Sequence, residues 1–465
     1  MNIRISAQSR KIHKTSGFCA PATLIAGLMI SGCATPLETG LITQYTTTAN
    51  TLYAELNTID QTALFDSRST FADYLTYSLS HNPRLKASFN KWNAALEKIP
   101  QARSLQNPAL SFEYFIHQHD KRYGASLTQT LPAFGKLSLR NRIATAEAEA
   151  EMHRFETDRF ILYDQTAAAF YDYHYLGKSI DITAETLGLL TDLERVIETR
   201  YENSQTPFSD LIKIQIEKEQ IQDQLDALKD DRITKSAILA SRLNVETSEP
   251  LPWPTVEPSP DSFLDESFFL EMLEDLNPEL KTADAEIQAA RYKKQLAKRK
   301  SLPDFIVGAN WKTMANDKSD VGIIAGITLP IWQGKIRAGI RETEAGIDAA
   351  ENKKQDLLNN LRTELSAAVV KARDAQRRMT LYSTSLIPKS RQAYQTAREE
   401  FINGNGSFMK LVDAQRMLLE FQLMEQRAVS DREVALAEIG CCIGQFDIHI
   451  DRSSTPEPSE EGTSL

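Results

Sequence analysis

The chain has 465 residues and a formal net charge of −10, with 42% hydrophobic and 25% charged residues. Its mean hydropathy of −0.37 excludes a polytopic helical membrane protein, and the acidic balance argues against nucleic acid as a partner, since nucleic-acid binders carry a basic face. Glycine and proline are sparse, 19 and 18 in the chain, which favours long helices.

The first 32 residues read as a targeting segment. Arg4, Arg10, Lys11 and Lys14 precede the apolar run FCAPATLIAGLMI, too short to span a bilayer and right for a secretory signal. The run ends in Ile30-Ser31-Gly32-Cys33, which resembles the bacterial lipobox. That resemblance implies that Cys33 is acylated and becomes the mature N-terminus. Ala34, in place of Asp, implies delivery to the outer membrane. Of the four cysteines, only Cys441 and Cys442 lie in the body of the chain, and they read as small buried hydrophobes.

Two repeats follow, at 33–247 and 263–450, joined by a Pro-rich linker at 248–262. The tail 451–465 is expected to be disordered. Asn82-Pro83-Arg84-Leu85-Lys86 matches Asn277-Pro278-Glu279-Leu280-Lys281. The stretch TLPAFGK (130–136) matches TLPIWQGK (328–335), and 200–215 matches 400–415 with Tyr201 on Phe401, Phe208 on Phe408 and Gln215 on Gln415. Landmarks repeating in one order at a nearly constant offset mean a duplicated unit.

Each unit opens with a helix, near 84–105 and 279–301, which Asn caps and Pro starts. Two strands come next. In the first unit (110–131), Leu110, Phe112 and Tyr114 alternate with Ser111 and Glu113. In the second (304–329), Phe305, Val307, Ala309 and Trp311 alternate with Ile306, Gly308, Asn310 and Lys312. Period two, with one apolar face and one small or polar face, marks strands. Their length suits a tilted transmembrane β-strand as well as a soluble hairpin, and four strands are too few to close a membrane barrel. His117 and His119 fall at the first hairpin's loop and read as loop histidines. Helical hairpins complete each unit, at 136–201 with 208–243, and at 336–403, interrupted by Pro388, with 407–443. A helix of 136–201 would be about 100 Å long. Pro132 and Pro330 end the strand ladders, and Gly135 and Gly334 are expected to allow the bend into the helices. If the strands span a membrane, Phe134 and Trp332 would pack at its rim.

The lipobox, the duplicated strand-and-helix-hairpin unit, the Asn-Pro-x-Leu openings and the Leu-Pro turns ending in Gly-Lys together resemble the TolC-like outer-membrane efflux family. The lipidated branch of the CusC, CzcC and OprM type is nearest in form. The resemblance implies an α+β fold, in which three protomers of four strands close a twelve-stranded barrel joined to a periplasmic α-helical barrel. It implies a passive homotrimeric duct in outer-membrane lipid. The duct would serve a periplasmic adaptor and an inner-membrane pump of the resistance-nodulation-division type. Adaptor contact falls on the hairpin tips, Asn203, Ser204, Gln205, Asn403, Gly404 and Asn405. Gly404 matches the family's turn glycine. Ser204 stands in its place in the first copy, where Asn203 is the neighbour suited to a left-handed backbone. Asp413, with Asp210 at the matching end of the first copy, is the candidate for lining a closed aperture. No catalytic signature, cofactor motif or metal-ligand spacing is present. A lipid-anchored coiled-coil scaffold without a pore is the competing reading.

Overall fold

The computed structural model describes Thr47 and residues 65–66, 68–114, 121–246, 248–256, 264–314 and 319–446. The targeting segment, Cys33, His117, His119 and the tail lie outside these residues.

The first repeat runs α1 (Phe71–His81), α2 (Pro83–Leu96), α3 (Lys98–Arg103), β1 (Ala109–Tyr114), β2 (Lys121–Leu131), α4 (Lys136–Glu202) and α5 (Phe208–Leu243). The second runs α6 (Glu266–Leu276), α7 (Pro278–Arg299), β3 (Asp304–Met314), β4 (Ser319–Thr328), α8 (Gln333–Leu381), a π-helical turn (Tyr382–Leu386), α9 (Ile387–Ile402) and α10 (Phe408–Ile443). The 67 residues of α4 span about 100 Å. Among the described residues no helix is long and apolar enough to cross a membrane.

The duplication is visible in the hydrogen bonds as well as in the element order. Asn82 Oδ1 accepts from the backbone N–H groups of Arg84 and Leu85 at 3.0 and 3.4 Å, while its Nδ2 donates to Arg242 O at the end of α5. Asn277 Oδ1 accepts from Leu280 N at 2.9 Å, while its Nδ2 donates to Cys442 O at the end of α10. Each asparagine therefore caps one helix and ties it to the end of the hairpin, satisfying orphan groups at both. Sequence periodicity missed α1 and α6, the equivalent short helices that precede these asparagines. Both are amphipathic, and each lays an aromatic residue into the core. Tyr74 of α1 meets Phe170 edge-on at 5.2 Å, and Phe269 of α6 is buried among Leu365, Val369 and Ile439.

The repeats interlock. The first-repeat helix α4 packs on α7 and α10 of the second, and α7 also packs on α8. The described part of the Pro-rich segment, 248–256, has no regular secondary structure and is pinned to the first hairpin. Tyr173 donates its hydroxyl to Leu251 O, Trp253 stacks on Tyr173 at 4.7 Å, and the Arg232 guanidinium lies 4.3 Å over the Trp253 ring. The expected break at Pro388 is a widened turn. Pro388 lies at the start of α9, and the π-helical turn before it absorbs the missing N–H without ending the helix.

Cys441 and Cys442 are half-buried free thiols. Burial, with carboxylates around them, pushes both thiols up, Cys442 to about 12, so they remain protonated. Asp164 on α4 lies near them, and its Oδ1 has no hydrogen-bond partner among the described residues. Burial and the charge of Glu438 push its carboxyl up to about 6, against the opposing pull of Lys371. A carboxyl with a folded pKa above its unfolded value keeps in the fold a proton that the unfolded chain has lost. Stability therefore falls as pH rises from about 4 to about 6. D164N removes this slope. The variant and native protein match at pH 4, and the variant is more stable at pH 7 by no more than about 3 kcal/mol, read from thermal denaturation in detergent.

Candidate functional site: a two-faced sheet, its joints and the hairpin tips

The four strands form one antiparallel sheet in the order β1-β2-β3-β4. Register aligns side chains across it. Leu110, Leu127, Ala309 and Ile323 form one row, and Phe112, Ala125, Trp311 and Val321 the next. Leu131, Phe305 and Ile327 make a third. All lie on one face, and Leu110, Phe112, Tyr114, Leu127, Phe305, Trp311, Val321, Ile323 and Ile327 are exposed. The opposite face carries Ser111, Glu113, Ser126, Thr128, Thr130, Asn310, Lys312 and four glycines, with Ile306 and Ile324 as its large apolar residues. This is the inverse of a soluble sheet, where the apolar face is covered by a core. Among the described residues the outer edges of β1 and β4 have no partner strand.

The joint after β2 is a built node. Ala133 N and Lys136 Nζ both donate to Asp304 Oδ1 at 2.7 Å, and Lys136 Nζ also donates to Leu302 O at 2.9 Å. Lys136 is buried, so Asp304 supplies the countercharge that a buried ammonium needs. Arg299 of α7 donates to Phe134 O at 2.6 Å. Gly135 has φ +80°, and a Cβ there would meet the Arg299 guanidinium at 2.6 Å. One cluster thus fixes the end of β2, the start of α4, the end of α7 and the start of β3.

The second joint is different, and the expectation that Gly334 permits a bend is wrong. Helix α8 starts at Gln333, so Gly334 and Lys335 are already helical. The turn is made by Pro330 to Trp332. Ile331 N donates to Leu329 O and Gln333 N to Ile331 O, both at 3.0 Å, and Gln333 Nε2 donates to Pro330 O at 2.8 Å. The one-residue insertion relative to TLPAFGK is taken up here, and no glycine is required. Phe134, Ile331 and Trp332 are largely exposed, as a membrane-facing rim requires.

At the far end both hairpins close with the same hydrogen bonds. Ser204 N donates to Tyr201 O and Gln205 N to Arg200 O; Gly404 N donates to Phe401 O and Asn405 N to Glu400 O. These are Schellman motifs, which need a left-handed residue just past the helix. Gly404 supplies it at φ +79° and Ser204 at φ +57°. The left-handed residue of the first tip is therefore Ser204 itself, and not Asn203, which has φ −86° as the helix C-cap. Asn203, Ser204, Gln205, Asn403, Gly404 and Asn405 are all exposed.

The two candidate aspartates have different surroundings. Asp210 sits in the first turn of α5, accepts from Thr206 Oγ1 at 3.2 Å and lies 3.9 Å from Lys213, a helix-start arrangement. Asp413 is exposed in the second turn of α10. One turn on, Arg416 donates to the buried carboxylate of Glu217 on α5, its Nε at 2.8 Å. Arg200 completes the tie between tips, donating to Phe401 O and Ile402 O at 2.8 Å and lying 5.0 Å over the Phe401 ring. The sequence reading singled out neither Arg200 nor the Arg416–Glu217 pair, because nothing local marks partners two hundred positions apart.

Residues 269–445 match the family model for outer membrane efflux proteins. This segment belongs to the outer membrane efflux protein family. No curated protein matches the chain by sequence. Solved structures match it almost throughout. CusC superposes with a TM-score of 0.71 at 14% identity, covering 84% of this chain and 96% of its own. The outer membrane protein VceC of Vibrio cholerae gives 0.69 at 16%, covering 81% and 97%. The CmeC outer membrane channel of Campylobacter jejuni gives 0.70 at 13%, covering 86% and 93%. At these identities the likeness is one of fold, and it extends the efflux-protein architecture to the first repeat.

The asymmetry of the joints in this efflux-protein fold is testable. Gly135→Ala forces a left-handed alanine against Arg299 and should lower stability by at least about 1 kcal/mol. Gly334→Ala replaces a helical glycine in open space and should be neutral or stabilising by up to about 1 kcal/mol. Thermal denaturation of the detergent-extracted protein distinguishes them.

Proposed function

We propose that the chain is one protomer of a passive exit duct in the outer membrane. Three copies set their sheets edge to edge into a barrel of twelve strands, and the long hairpins continue the duct into the periplasm. The two-faced sheet carries this reading. Its exposed apolar face suits lipid, its small and polar face suits a water-filled lumen, and its two open edges are satisfied only by further strands. A pore-free scaffold has no use for such a face.

The acylated Cys33 would anchor each copy to the outer membrane, multiple acyl chains holding firmly at about 0.8 kcal/mol per buried CH₂. Substrate would arrive from an inner-membrane pump of the resistance-nodulation-division type through a periplasmic adaptor. The adaptor would meet the exposed tips at Asn203, Ser204, Gln205, Asn403, Gly404 and Asn405. Three copies of Asp413, with Asp210 at the other hairpin, would place a carboxylate ring at the narrow end and favour cations there.

Charges on the lipid face test the barrel. F112K/I323K places two lysines where lipid is expected, at about 2–4 kcal/mol each near the midplane. The variant should be lost from the outer-membrane fraction, and normal insertion would refute the reading. The native protein should conduct in planar bilayers with a preference for cations, and D413N should weaken that preference. A protein that inserts but never conducts contradicts the duct.

A further inference from the structure

The lysines at the two joints correspond, and their surroundings are opposite. Lys136 is buried, with Asp304 and Leu302 O as its partners. Its counterpart Lys335, in the first turn of α8, is exposed, and among the described residues it has no hydrogen-bond or ion-pair partner. Nor does the repeat place one on a neighbouring copy. Positions 195 apart correspond here, as Asn82 and Asn277 do, so the counterpart of Asp304 at the start of β3 is Ala109 at the start of β1. The strand that follows β4 in a ring of copies is a β1, and it offers a methyl group where β3 offers a carboxylate. Arg299, which braces the first joint, has Ser104 as its counterpart.

Lys335 borders a cavity. About 680 Å³ opens between the end of α7 and the start of α8, with Ala297 and Lys300 on one side and Trp332, Lys335, Gly339 and Glu342 on the other. That volume is in the range of small-molecule sites, about 300–1,000 Å³. Lys300, like Lys335, is exposed and has no partner among the described residues. Glu342 alone of the lining is acidic, so the site is positive although the chain carries −10 overall. The rim beside it is apolar. Leu329, Ile331 and Trp332 are 64%, 66% and 74% exposed, at the end of the strands, the level at which tryptophan sits at a membrane–water boundary. The site therefore has two chemical halves, a pair of ammonium groups without countercharge and a bare apolar edge. An anion with hydrocarbon tails satisfies both, whereas a small free anion or a neutral lipid satisfies one.

We propose that this cavity holds the headgroup of an anionic phospholipid of the periplasmic leaflet, with Lys300 and Lys335 on its phosphate and Ile331 and Trp332 against its glycerol and first acyl carbons. This rests on the reading of the sheet as part of an outer-membrane barrel, which puts the joint at that leaflet. Lysine holds phosphate as a compact charge, and basic pockets beside membrane-spanning elements collect acidic headgroups. The lipid supplies at the second joint the anion that Asp304 supplies at the first. Glu342 limits the affinity by repelling the phosphate.

Native mass spectrometry tests this on the full-length protein, extracted from outer membranes, stripped of lipid in mild detergent and titrated with phosphatidylglycerol or phosphatidylethanolamine. The native protein should take up phosphatidylglycerol, one molecule per copy, in preference to phosphatidylethanolamine. K300Q/K335Q should lose roughly 30-fold in affinity for phosphatidylglycerol, and E342Q should gain affinity. K389Q/K410Q, which removes two exposed lysines of α9 and α10, should bind as the native protein does. Equal affinity for the two lipids, or for native protein and K300Q/K335Q, overturns the site. Binding of lipopolysaccharide instead, lost in K300Q/K335Q, would assign the lysines to the opposite leaflet and overturn the proposal. Inorganic phosphate that displaces phosphatidylglycerol at equal concentration would show that the tails contribute nothing, and would also overturn it. The mass of the assembly and its conductance keep the two readings apart. An assembly that conducts and ignores phosphatidylglycerol refutes the site and leaves the duct, whereas a protein that never enters the outer membrane refutes both.

Discussion

The open edges of the four-stranded sheet constrain everything else. Backbone N–H and C=O groups facing hydrocarbon have no water to fall back on, and each unsatisfied group costs several kcal/mol. Strands β1 and β4 have no partner on their outer edges among the described residues, and one face of the sheet between them is apolar and bare. One chain cannot resolve this, because four strands cannot curl into a barrel. The edges call for copies of the same sheet, and closure then dictates a ring. On the proposed reading, the duplication of the unit and the two joints per chain suit the building of a ring from a chain that already contains two similar parts.

A ring of this kind must turn each strand pair into a helix pair without fraying at the turn. The first joint achieves this with charge. Asp304 at the start of β3 holds the buried Lys136 at the start of α4, so a second-repeat strand fixes a first-repeat helix. Among the described residues the second joint has no such ion pair. It relies on a proline turn and leaves Ile331 and Trp332 exposed, ready for lipid or a neighbouring copy. The same division recurs at the tips, where Arg416 reaches the buried carboxylate of Glu217 within the chain and the equivalent positions, Ile216 and Met417, are apolar and exposed. In both places the intramolecular contact is ionic and directional, while the outward surface is apolar and adaptable.

Much of the fold was legible from residue order. Period-two alternation marked the strands, breaker-poor stretches marked the long helices, and the repeated Asn-Pro and Leu-Pro landmarks revealed the duplication. The misses have physical reasons. The helices α1 and α6 are 11 residues each, too short for periodicity to stand out. Gly334 resembles Gly135 in its motif, yet the inserted Gln333 moved the bend upstream onto Pro330 and freed the glycine of its role. Ser204 adopts a left-handed backbone because the Schellman hydrogen bonds fix the conformation of that position whatever residue fills it. Asp304 and Lys136 lie 168 residues apart, and Arg416 and Glu217 lie 199 apart. Contacts at such separations have no local signature and emerge only when the repeats are laid side by side.

The central claim is that several copies share one barrel. Mass measurement of the assembly extracted from outer membranes in mild detergent, with the strand count read by imaging the same particles, tests it most directly. Three copies around a single twelve-stranded barrel are predicted. A monodisperse monomer, or particles in which each sheet stands alone with its apolar face folded against protein, would contradict it.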